Sequence, residues 1–80
     1  MTNSTIKLIQ NNIKKFRTMQ NLTQEKLSEI CGISCDYLSE IERGKKVPSL
    51  KRLILIAKGL NISPRDFFDF DEVNDFAEKL

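Results

Sequence analysis

Residues 23–44, TQEKLSEICGISCDYLSEIERG, leave this chain little choice in how it folds. Leu27, Ile30 and Cys31 recur at helical spacing, and Leu38 and Ile41 do the same a few residues later. A residue with a side-chain oxygen precedes each set: Thr23 before the first, Ser34 before the second. Such oxygens cap the free N–H groups of a first helical turn. Gly32 lies between the sets, where a helix end often takes a positive φ that glycine adopts without strain. The pattern predicts two helices of about two turns, residues 24–31 and 35–43, packed across a tight turn.

The flanking chain reads as cover for this unit. Residues 1–5 are polar and expected to fray. Ile6, Ile9, Ile13 and Phe16 form one apolar stripe of a helix ending near Met19 or Gln20, with Lys7, Gln10, Lys14 and Lys15 assigned to its surface. Asn21 suits a left-handed stop, and Leu22 packs on the core from the turn. Downstream, Arg43-Gly44-Lys45-Lys46-Val47-Pro48 is a basic loop in which Gly44 ends one helix and Pro48 prevents its continuation. Ser49 then caps a helix starting at Leu50 and reaching Lys58 or Leu60. Its inward face is assigned to Leu50, Leu53, Ile56, Ala57 and Leu60, which leaves Ile54 and Leu55 as surplus apolar surface. Ser63, Pro64 and Asp66 resemble a capping box with proline at the first helical position. They predict a fifth short helix ending around Phe70, with Phe67 and Phe68 closing the core. Val73, Phe76, Ala77 and Leu80 fall at i, i+3, i+4 and i+7, which suits a short sixth helix if it finds a packing partner. The expectation is one compact all-α domain over residues 1–70, followed by an acidic amphipathic tail over residues 71–80.

Charge is segregated. The net +2 combines twelve Lys and Arg against five Asp and Glu in residues 1–65 with one against six in residues 66–80. A basic body points to a polyanionic partner, although an unevenly charged solvated surface looks the same at this level. Cys31 and Cys35 stand four apart in a chain without histidine, so a zinc site lacks two ligands and no cofactor is expected. No glycine-rich phosphate loop and no nucleophile beside a base is present, which argues against an enzyme. No small-molecule ligand is indicated. Nothing resembles a leader, and no apolar run approaches the roughly 18 residues of a membrane span, so a cytoplasmic location is expected.

Taken together, Thr23-Gln24-Glu25 with Leu27, Gly32-Ile33-Ser34, Tyr37-Leu38-Ser39, Ile41-Glu42-Arg43-Gly44-Lys45, Pro48-Ser49-Leu50, Leu53 and Ile56-Ala57 carry a wider pattern. It resembles the phage-repressor and Cro-type helix-turn-helix proteins, the xenobiotic-response-element family, from about Ile9 to Phe68. The resemblance implies a five-helix DNA-binding domain acting as a dimeric transcriptional regulator, a homodimer on a palindromic double-stranded operator. The short length also resembles the controller proteins of restriction–modification systems, and small phage or plasmid repressors are equally short. An antitoxin-like interaction module that also binds DNA is the alternative.

The resemblance also implies roles. The second helix of such a motif lies in the major groove. With Leu38 and Ile41 inward, Cys35, Asp36, Ser39, Glu40 and Arg43 are the base-reading candidates. A carboxylate accepts from cytosine N4, serine tolerates several bases, and Arg43 suits guanine or a phosphate. Asp36 equally suits compensation of the helix N-terminus. Gln24, Ser34, Tyr37, Lys45 and Lys46 are phosphate candidates, Ser34 being first a cap and Tyr37 equally a packing residue. Arg17 and Glu42 occupy the places of a structural ion pair. Ile54, Leu55, Val73, Phe76 and Leu80 are candidates for the dimer interface.

Overall fold

The structure is a computed structural model that describes residues 3–69. It consists of α1 (Asn3–Met19), α2 (Gln24–Cys31), α3 (Cys35–Glu42), α4 (Leu50–Gly59) and a 3-10 turn (Pro64–Phe68). Among the described residues there is no strand, in keeping with an all-α fold. The expected five-helix count is not met: the last element is a 3-10 turn. Its backbone closes with i to i+3 bonds, Asp66 N–H to Ser63 O at 2.9 Å and Asp69 N–H to Asp66 O at 3.2 Å. Asp69 then turns extended, at φ −88° and ψ 104°. The sixth helix expected over residues 71–80 lies outside the described residues.

The caps explain the element boundaries. Thr23, Ser34 and Ser49 each accept a backbone N–H three residues on, from Lys26, Tyr37 and Arg52 at 3.0, 3.0 and 3.2 Å. Gly32 ends α2 at φ 71°, with its N–H on Glu29 and Ser28 carbonyls. Ile33 N–H also returns to Ser28 O at 3.1 Å, so the two motif helices are joined with their end carbonyls satisfied.

The core is Ile9 and Ile13 of α1, Leu27 and Cys31 of α2, Leu38 and Ile41 of α3, Leu53, Ile56 and Ala57 of α4, and Leu60 and Phe67 beyond it. Several assignments are corrected by this packing. The helix begins at Asn3 and Thr5 is fully buried, so the N-terminal residues do not fray as far as residue 5. Gln10 is only 2 % exposed. Leu50, at 73 %, opens the first turn of α4, beyond the edge of the core. Ile30 is exposed on the rim where α2 meets α4, beside Leu55, Lys58 and Gly59. Phe68 faces outward while its neighbour Phe67 is fully buried.

α2 and α4 meet tightly at Gly59. A Cβ there would overlap Cys31 Sγ and stand 3.3 Å from Ile30 Cγ2. Gly59→Ala is therefore expected to lower stability by about 1–3 kcal/mol through overpacking, although alanine is the better helix former. Adding Cys31→Ala removes the sulfur and should recover part of that loss. Urea denaturation of the two singles and the double measures the coupling; an unchanged midpoint for Gly59→Ala would contradict the crossing.

Candidate nucleic-acid interface

The outward face of α3 is built by what the core takes. Leu38 and Ile41 are fully buried. Asp36 is exposed in the first turn, while Cys35, Ser39 and Glu40 are half-buried. Arg43 is exposed and sits as the C-cap, at φ −83° and ψ 0°. The five base-reading candidates thus lie along one short helix and its cap.

The last residue of α3 is fastened to α1. Arg17 Nε donates to Glu42 Oε2 at 2.7 Å and Nη2 donates to Oε1 at 2.9 Å. Arg17 Nη1 donates to Leu22 O at 2.6 Å. The two side chains are 11 % and 2 % exposed. Gln24 joins them, its Nε2 donating to Glu42 Oε1 at 3.0 Å. The hydrogen bond to Glu42 raises the Arg17 pKa above its ordinary value, against the desolvation that lowers it.

The basic loop is tied to α3 and α1. Lys45 and Lys46 N–H donate to Glu40 O at 2.8 and 3.2 Å. Gln10 Nε2 donates to Lys46 O at 2.7 Å. Polarity alone places Gln10 on the surface, yet it stands four residues after Ile6 and three before Ile13, within the apolar stripe. That placement was the available signal. Lys46 Nζ lies 3.5 Å from Glu40 Oε1, so one carboxylate of the outward face of α3 has a cation beside it. Lys45 is exposed.

Tyr37 is half-buried and carries two cations. Lys46 Nζ and Arg52 Cζ each lie 5.8 Å from its ring centroid. Arg52, on the first turn of α4, had no place among the sequence candidates; nothing local in the sequence announces that α4 brings it to Tyr37. Ser34, Asp36, Tyr37, Glu40, Lys46 and Arg52 wall a recess of about 460 Å³ beside the α2–α3 turn.

Of the interface candidates, Ile54 is exposed and Leu55 half-buried, while Val73, Phe76 and Leu80 lie outside the described residues. A second apolar area is a groove of about 240 Å³, lined chiefly by Ile6, Val47, Leu50, Leu53 and Phe68. The sequence places Ile6, Leu50, Leu53 and Phe68 in the core and Val47 in the basic loop, so it does not announce the groove. Among the described residues no helix is long and apolar enough to cross a membrane.

The family model described as helix-turn-helix matches residues 13–67. Control protein C.BamHI of Bacillus amyloliquefaciens is 34 % identical over 80 residues, covering 99 % of each chain. The crystal structure of the restriction-modification controller protein C.AhdI from Aeromonas hydrophila superposes with a TM-score of 0.76 at 31 % identity, covering 81 % of this chain and 97 % of that one. The biofilm master regulator SinR, solved in complex with DNA, gives a TM-score of 0.72 at 31 % identity, covering 76 % of this chain and 98 % of that one.

Proposed function

The chain belongs to the helix-turn-helix family of DNA-binding transcriptional regulators, and on that premise we propose that it acts as a dimer with one α3 in the major groove of each operator half-site. The observation that carries this reading is the two-sidedness of α3. Leu38 and Ile41 commit one side to the core, and Asp36, Ser39, Glu40 and Arg43 reach solvent on the other. Likeness to C.BamHI and C.AhdI supports a narrower role, control of a restriction–modification system. It acts where the DNA is, in the cytoplasm, as a regulator rather than an enzyme.

In this reading Asp36, Ser39 and Arg43 contact base edges, with Cys35 at the end of the set. Glu40 is tempered by Lys46 and contributes less. Gln24, Ser34, Tyr37, Lys45 and Lys46 serve the sugar-phosphate backbone. The dimer covers exposed apolar surface at Ile54 and Leu55 or at the Val47, Leu50 and Phe68 groove. Two half-sites about 34 Å apart are the geometric consequence of a two-fold pair.

Selection of bound duplexes from a random pool tests the whole reading. A palindrome is the expected product. A lone half-site removes the dimer, and no enrichment at all removes sequence-specific binding. Changing Lys45 and Lys46 together to alanine should weaken binding to every duplex and reduce the salt slope by about two. Asp36→Asn should instead shift base preference. Unchanged binding by the double lysine variant would remove the loop from the interface.

A further inference from the structure

Arg52 differs from the other cations of this domain in having an aromatic plate against it and no carboxylate. Its backbone N–H is taken by Ser49 Oγ, which fixes the start of α4. Its guanidinium carbon stands 5.8 Å from the Tyr37 centroid. Lys46 Nζ stands at the same distance from that ring but has Glu40 Oε1 at 3.5 Å. Among the described residues no carboxylate lies within ion-pair range of Arg52. Two cations gathered on one ring repel each other, and an exposed cation–π contact offsets only about 0.5–1 kcal/mol. Lys46 thus has a carboxylate within reach, whereas Arg52 has the ring alone among the described residues. Its members share the wall of the 460 Å³ recess with Ser34, the cap of α3.

We propose that Arg52, Tyr37 and Lys46 form a site for a backbone phosphate of duplex DNA, with Arg52 as its principal donor. The proposal rests on the DNA-binding reading above and adds a residue to it. A guanidinium presents a planar fork that matches two phosphate oxygens, which an ammonium cannot do. Contact with Tyr37 holds that fork in place before DNA arrives, so less side-chain freedom is lost on binding. Lys46, steadied by Glu40, adds a second charge and keeps that carboxylate from repelling the phosphate. Asp36, the remaining carboxylate of the recess, lies one residue before Tyr37 and is left for the bases. A phosphate seated here tethers the N-terminal half of α3, at the end away from Glu42.

Fluorescence anisotropy with a short random-sequence duplex, over a series of salt concentrations, provides the test. Arg52→Gln should reduce the slope of log K against log salt by about 0.9, the share of one phosphate contact. Arg52→Lys should keep the slope and bind more weakly. Arg52 is exposed, so the fold should tolerate both changes, and thermal melting checks this. If wild type binds and Arg52→Gln keeps its slope, the site is wrong and the DNA-binding reading stands. If wild type binds no duplex, both fall. The Arg52 Nε–H resonance should move with duplex; movement of the same size with inorganic phosphate alone would overturn the assignment to DNA.

Discussion

Glu42→Ala is expected to lower folding stability by about 3–5 kcal/mol, because it leaves a buried cation without its partner. Glu42 accepts from Arg17 twice and from Gln24 once. After truncation Arg17 keeps only its bond to Leu22 O, in a place where its side chain is 11 % exposed. Arg17→Ala is the mirror change and strands a carboxylate that is 2 % exposed. Replacing both by apolar residues of similar volume should lose less than either single change, since no charge is then left alone. A double-mutant cycle by chemical denaturation measures the coupling, and a coupling near zero would contradict the pair as an anchor. The pH dependence has a definite sign on the arginine side. A folded-state pKa raised above the unfolded one gives stability that is whole below the unfolded value and fades only as pH rises through the folded value. Raising the pH therefore does not remove the Arg17 contribution until the arginine range is reached. DNA affinity should fall together with stability, because Glu42 is also the last residue of α3.

The second large effect separates two adjacent phenylalanines. Phe67→Ala should lower stability by about 3–5 kcal/mol, whereas Phe68→Ala should cost well under half of that. Phe67 is fully buried and meets the Phe16 ring edge-on, at 6.0 Å between centroids and 64° between planes. Its loss opens a cavity between α1 and the 3-10 turn and removes an aromatic contact. Phe68 is 45 % exposed and lines the apolar groove. In a domain of this size each kcal/mol moves the melting temperature by about 4–8 °C, so thermal melting separates the two variants clearly. Equal losses would mean that both rings are core. A drop in self-association for Phe68→Ala, with stability retained, would point to the groove as the dimer face.

The same pair of residues shows where sequence reading stops. Two consecutive phenylalanines at a chain bend are indistinguishable by periodicity, and a 3-10 turn of five residues has too few positions to reveal its inward side. The caps were legible because capping is local chemistry: Thr23, Ser34 and Ser49 need only their own next three residues. Gly32 was legible for the same reason. Leu50 lies outside the core expected of it because helical spacing says which residues share a face, not how far along the helix the core extends. Thr5 and Gln10 were misassigned in the opposite direction. A polar residue can be buried when a distant partner meets it, and for Gln10 that partner is the carbonyl of Lys46, 36 positions away. Arg52 follows the same rule at the interface: its meaning depends on Tyr37, which only the packing of α4 against the motif brings near.

The fastening of α3 has a consequence for how such a domain can change. The helix is clamped hardest at its root, where Glu42 is held by α1 and α2, while its tip, joined to α2 across the Gly32 turn, carries Cys35, Asp36 and Ser39. The side-chain bonds that hold the root come from Arg17 and Gln24. If the tip reads the bases as proposed, it can be rewritten, and the preferred operator with it, while the bonds to Glu42 are kept. Residues 17, 24 and 42 form the hinge plate that has to stay in register while the lettering at the other end is exchanged.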